Sequence, residues 1–179
     1  MPAIATLEAR ALIPALPGRP QVVRVVAAEG PTMLAVASGT TTRTIELAQQ
    51  GSSVDLDVPG LVDAGLSIEA SAKILVTQTL LEVPVTTVTR PLLDRRTTLD
   101  VPAAEHRLAI VTARADDTVT AGDSVLLVGP EPIAASGYAT WILSLKEGRT
   151  VIETIHPASV SVLVLGVSAG DQVLPGHWY

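Results

Sequence analysis

The chain has no cysteine, no phenylalanine and no asparagine. Without cysteine there is no disulfide framework, no thiolate zinc site and no thiol nucleophile. Without asparagine there is no N-glycosylation sequon. Two tryptophans and two tyrosines leave the aromatic share at 2%, too few rings to stack a single-stranded nucleic acid or to floor an extended sugar-binding platform. Lysine occurs only at Lys73 and Lys146, and the net charge is −6 with a pI near 4.9. That balance lacks the basic footprint of a nucleic-acid binder. Long apolar runs are missing too. The most apolar stretch, Val160 to Val167, is interrupted by Ser161 and Gly166 and falls far short of the ~20 residues of a membrane-spanning helix. The first residues, Met1-Pro2-Ala3-Ile4-Ala5-Thr6-Leu7-Glu8, show no basic segment followed by an apolar one, so no signal peptide is expected.

What is present is apolar area. Hydrophobic residues make up 47% of the 179, and the mean hydropathy is +0.43. The length suits one domain or two small ones with a sizeable core. A chain this apolar without a spanning segment is expected to hide part of that area between copies, because an obligate interface resembles a core cut in half.

Period-two patterning dominates. From Ser53 to Val58, Val54, Leu56 and Val58 alternate with Asp55 and Asp57, the signature of a half-buried antiparallel strand. Leu66, Ile68, Ala70 and Ala72 alternate with Ser67, Glu69, Ser71 and Lys73, which excludes a helix there. Further strands are expected over 21–28, 32–37, 41–48, 74–82, 85–89, 96–101, 107–113, 124–128, 138–146, 150–155 and 160–167. The last is apolar on both faces and reads as a central strand. Glu147-Gly148 is expected to turn the 138–146 strand into a hairpin with 150–155. About a dozen strands at the ~8–12-residue turn spacing of sandwiches and barrels, with thirteen Gly and thirteen Pro as punctuation, point to an all-β fold. The expectation is an antiparallel β-sandwich, jelly-roll-like or split into two small sandwiches, over 21–83 and 84–179.

Residues 1–20 stand apart as an N-terminal arm. Ala3 to Ile13 carries Ile4, Leu7 and Ala11 at helical spacing, and Pro14, Pro17, Gly18 and Pro20 then break regular structure. The arm either reaches a neighbouring subunit or folds onto its own domain. Leu56-Asp57-Val58-Pro59 recurs as Leu99-Asp100-Val101-Pro102, an echo too short to establish duplication.

No motif of established chemistry is found. Phosphate loops, dinucleotide fingerprints and nucleophile elbows are absent. Gly39-Thr40-Thr41-Thr42 reads as a turn between strands. His106, His156 and His177 are scattered and have no partner at ligand spacing. Asp116, Asp117 and Asp123 lack the alternation of a calcium loop and read as two turns, 115–118 and 121–124, around a very short strand. Arg95-Arg96 reads as a solvated turn, with an inter-subunit ion pair as the alternative. Trp141 reads as a core anchor. No catalytic residue, cofactor or metal is expected.

The interface candidates are therefore Ile4, Leu7, Leu12, Ile13 and Leu16 in the arm, and Trp178 and Tyr179 at the C-terminus, where large amphipathic rings suit contacts. The expected function is a structural assembly protein, such as a capsid decoration protein of a bacteriophage virion. Its partners would be itself, as a homo-oligomer such as a trimer or hexamer, and a larger assembly such as a capsid, with no nucleic acid and no membrane. Its places would be the virion and, during assembly, the host cytoplasm. A tail or head–tail part is the alternative, followed by an adhesion or ligand-binding module and then a cupin-like enzyme.

Overall fold

A computed structural model of the chain describes residues 7–14, 16, 21–58, 65–80, 85–88, 94–165, 167–169, 172–174 and 177–178, with the backbone alone at 58, 80, 85–88 and from 165 onward. Every element among them is a β-strand. All ladders between these strands are antiparallel, and the fold is a β-sandwich-like arrangement. The chain divides into two compact units, Met1–Pro91 with Pro132–Gly137, and Leu92–Glu131 with Tyr138–Tyr179.

The first unit holds β1 (Glu8–Ile13), β2 (Gln21–Ala27), β3 (Thr32–Ser38), β4 (Thr41–Leu47), β5 (Ser53–Val58), β6 (Leu66–Leu80) and β7 (Val85–Val88). β6 is its spine. The first half of β6 pairs with β3 and β1, from Ser38↔Leu66 and Ile13↔Leu66 onward. The second half pairs with β2 and β7. β4 extends the sheet beyond β3, and β5 extends it beyond β2. Inward residues of both halves, among them Leu34, Val36, Leu56, Ile68 and Val76, form one core cluster, so the sheet curls over on itself. The core is aliphatic throughout. Thr32 and Ser67 are buried beside it, and so is an amide pair in which Gln78 donates to Gln21, while Gln21 donates to the Pro14 carbonyl at 3.2 Å. Gly39, at φ +56°, makes the tight β3–β4 connection, as read from the sequence.

Where the segment expected as a helix, Ala3 to Ile13, is described, a helix is not what forms. Glu8–Ile13 is strand β1, with Ala11 and Ile13 buried at period two. A helix of this length is marginal in water, whereas an edge position on β6 satisfies one side of the backbone and buries Ile13 completely. A second difference is that the two strands expected over 66–73 and 74–82 are one continuous 15-residue strand. No Gly or Pro occurs from Leu66 to Leu80, so no breaker ends the strand between the two expected segments.

The second unit holds β8 (Asp94–Val101), β9 (His106–Arg114), β10 (Val125–Ile133, up to Glu131), β11 (Tyr138–Ser144), β12 (Gly148–Leu165), β13 (Val167–Ala169), β14 (Gln172–Leu174) and β15 (His177–Trp178). Its spine is β12, 18 residues long. The first part of β12 pairs with β8. The register then shifts between Glu153 and Ala158, and the rest lies between β9 and β15. The hairpin expected between 138–146 and 150–155 does not form: β11 pairs with β9, and β12 takes β8 and β9 instead. β11 is thereby placed centrally, with Trp141 at 5% exposure inside the second core cluster, as read. Ile110, Ile142 and Leu163 are buried on the opposite face of the same strands, so these central strands have no wet side. β12 from Val162 to Val164 is buried on both faces, in keeping with the central-strand expectation for 160–167.

Candidate assembly surface

β10 ends the path β10-β11-β9-β12-β15. Central strands carry apolar side chains because both faces are covered, and an edge strand ordinarily replaces some of them with charge or proline to discourage pairing. β10 departs from that practice at its N-terminal end. Val125, Leu126 and Leu127 are 59%, 50% and 54% exposed. Because successive side chains point to opposite faces, this ribbon is wet on both sides. At the C-terminal end of the strand, the outer edge is already used: Gly65 donates to the Pro132 carbonyl and accepts from Ala134 N–H, both at 3.3 Å, in a parallel bridge with Ile133.

Gly129 sets the close approach of β10 to its neighbour. Its φ is +128°, and a Cβ there would lie 2.7 Å from the Thr140 carbonyl oxygen and 2.9 Å from Trp141 Cα. No side chain fits, so glycine is dictated by both backbone conformation and space.

A second constellation sits at the register shift of β12. Asp117, whose side chain is fully buried, accepts hydrogen bonds from the backbone N–H groups of Ile155 (3.0 Å) and His156 (3.2 Å). The His156 ring nitrogen Nδ1 lies 3.5 Å from the same carboxylate and makes no hydrogen bond among the described residues. Thr154 donates its hydroxyl to the His156 carbonyl at 2.6 Å. The carboxylate holds the bulge where the ladder changes partner, which is a structural task. Neighbouring Asp116 forms a two-bond pair with Arg114 at 3.0 Å, and that hydrogen bond, with the guanidinium charge, holds its carboxyl below the usual range. The turn expected over 121–124 is present, closed by Ser124 N–H to the Ala121 carbonyl, while the one expected over 115–118 lies one residue earlier, closed by Asp117 N–H to the Arg114 carbonyl, both 2.9 Å, with Thr120 bridging Glu153 between them.

Beside the ribbon runs an open groove of about 500 Å³ lined by Arg96, Lys146 and Arg149 and by Asp123, Glu147 and Glu153 among others. Arg96 pairs with Glu153 at 3.2 Å and Lys146 approaches Asp123 at 3.5 Å. Arg95 and Arg96 thus lie on strand β8 and not in a turn. Among the described residues no group of three or more metal-ligating side chains converges, and His106 has only Glu105 at 3.9 Å.

The candidates drawn from the sequence are dispersed. Leu7 is 45% exposed, Leu12 is half-buried, and Ile13 and Leu16 are buried within the first unit. Trp178 pairs its backbone with Leu163 in β15. Ile4 and Tyr179 lie outside the described residues, as do the side chains of Trp178 and His177. Val125, Leu126 and Leu127 were not among the candidates. A Val-Leu-Leu-Val run without alternation has the pattern of a covered strand, and only the topology places it at an edge.

The class that the fold defines is an all-β protein of antiparallel, sandwich-like units. Comparison of the chain with protein-family models, with curated proteins and with solved structures finds no match.

Proposed function

We propose that the protein is a non-enzymatic structural assembly protein, and specifically a virion component of the capsid-decoration kind that attaches to a capsid surface as an oligomer. The observation that carries this reading is the Val125–Leu127 ribbon, three consecutive exposed apolar residues on a sheet edge. Contiguous exposed apolar surface marks a place of association, and a free edge strand is a ready template for another strand. The virion setting rests on analogy of architecture, since small β-sandwich proteins are common parts of phage particles.

The test is co-expression with the major capsid protein of the same genome, followed by gradient sedimentation. The expected result is sedimentation with the shells at a fixed stoichiometry, lost when Val125 and Leu127 are both replaced by aspartate. A chain that stays at the top of the gradient overturns the reading.

A further inference from the structure

We infer that the segment Pro132–Gly137 is a latch for strand β1: it joins β1 to the start of β6, and loosening it lets β1 open by itself while the rest of the first unit stays folded. The inference does not depend on the assembly reading above.

Three segments far apart in the chain meet at this latch. Gly65, the residue before β6, donates to the Pro132 carbonyl and accepts from Ala134 N–H, both at 3.3 Å. The next residue, Leu66, pairs with Ile13, the last residue of β1. From β1 itself, the Arg10 guanidinium donates to the Ser136 carbonyl at 3.3 Å and lies 3.9 Å from the Glu69 carboxylate of β6. Arg10 thus ties β1 both to the latch and to β6. Among the described residues β1 pairs with β6 alone, whereas β2 lies between β6 and β5. A strand paired on one side opens more readily than one paired on both, so β1 is the strand on which an added clasp has the most effect.

The latch is built and under strain. The N–H and the hydroxyl of Ser136 both donate to the Ile133 carbonyl, at 3.3 and 2.7 Å. Ile133 and Ala134 are buried, while Ala135 is exposed and has φ +51°. A residue other than glycine persists in the left-handed region only where its surroundings hold it there. The contacts to Gly65 and Arg10 are such a hold, and the strain makes the latch sensitive to the residue at 135. The segment packs within the first unit although it connects β10 to β11 of the second. Opening of β1 would uncover Ala11 and Ile13 and the side of β6 that they cover.

The experiment is native-state hydrogen exchange of the full chain, read by mass spectrometry on the peptide covering 7–14 and compared with one covering β2. Ala135→Val disfavours the left-handed turn through its branched Cβ, and at an exposed position it meets no packed surface. It should speed exchange in β1 about tenfold while β2 keeps the parent rate. Ala135→Gly adopts the same φ freely and should leave β1 no faster than in the parent. Arg10→Met keeps the aliphatic stem and removes the donor to Ser136. It should speed β1 more than Glu69→Gln does, since the latter removes the ion pair alone. The inference is overturned if Ala135→Val leaves β1 at the parent rate, if β1 and β2 speed up equally, or if Glu69→Gln matches Arg10→Met. Should Ala135→Val fail to fold, the comparison of Arg10→Met with Glu69→Gln decides.

Discussion

In the first unit the spine strand β6 changes partners between Ala70 and Ile74, where its register against β1 also shifts. Small residues, Ala70, Ser71 and Ala72, sit where it passes from β3 to β2, and the Ser71 hydroxyl accepts a hydrogen bond from Met33 N–H at 3.0 Å. In the second unit the spine β12 changes partners abruptly, through a bulge containing Pro157, and a buried carboxylate from a distant turn, Asp117, must satisfy the backbone groups released there. Exposed apolar surface differs as well. The described part of the first unit shows single residues, Leu7 and Met33, whereas the second shows Ile155 and the contiguous run from Val125 to Leu127. In both units the bend of the long strand is held by a backbone N–H to side-chain hydrogen bond between residues 38 apart, accepted by a hydroxyl in the first and by a buried carboxylate in the second. Both sheets end on edge strands, β4 and β5 in the first unit and β10 in the second, and among the described residues β10 is the one with a contiguous run of exposed large apolar side chains.

Three measurements bear on that difference. The largest effect is expected at Gly129→Ala in the second unit. Its methyl group would overlap the Thr140 and Trp141 backbone at a positive φ, and strain plus overpacking together should cost on the order of 3–5 kcal/mol, read as a lower urea midpoint. Tolerance of alanine there would mean that β10 is not seated against β11 as described, and the contrast between the units would weaken.

A middle-sized effect belongs to the first unit. Gln78→Met keeps the volume but removes the donor to Gln21, leaving a buried amide oxygen unpaired at a cost of about 1–3 kcal/mol. The double variant with Gln21→Met should cost less than the sum of the singles, because the two side chains act on one another. Additive losses would show that the pair is not coupled.

The smallest effect is electrostatic, and it should be alike in the two units. Asp55 accepts two 2.7 Å bonds from Arg24, and Asp116 accepts its pair from Arg114. These hydrogen bonds, aided by the guanidinium charge, lower both carboxyl pKa values in the folded state. The stabilisation is therefore complete above the unfolded carboxylate value of about 4 and is lost as pH falls through the lower folded value. Both sites are solvent-exposed, so the effect should be slight and screened by salt. Asp55→Asn should be marginally less stable than the parent at pH 7 in low salt, with the gap closing as the pH is lowered through the folded-state carboxyl value. A gap that persists at acid pH would point to packing in place of charge.

Strand positions were legible wherever one face is wet. Ser53 to Asp57 alternates in sequence and in burial alike, because the buried face tolerates no Asp55 or Asp57. Trp141 was legible as a large ring in an apolar strand segment, although both faces of β11 are covered. The first strand was not legible: Ile4, Leu7 and Ala11 lie at helical spacing, and the competing strand pattern, Ala11 and Ile13, gains its advantage only from β6, more than fifty residues away. Pairing was equally hidden. Glu147-Gly148 has the chemistry of a hairpin turn, yet the partners of β12 are β8 and β9, chosen by which faces must be covered and not by proximity in the chain.

The amino-acid sequence by itself determined that this chain folds as strands, which of their faces are buried where one face is wet, and which chemistries are excluded by the residues it lacks. Periodicity and composition are local properties, and they suffice for that. The tertiary structure decided which strands pair, where the two spine strands bend and which strand is left at an edge. A run such as Val125 to Val128 has the same pattern whether a neighbour covers it or not, and only long-range pairing determines whether that apolar surface becomes core or contact.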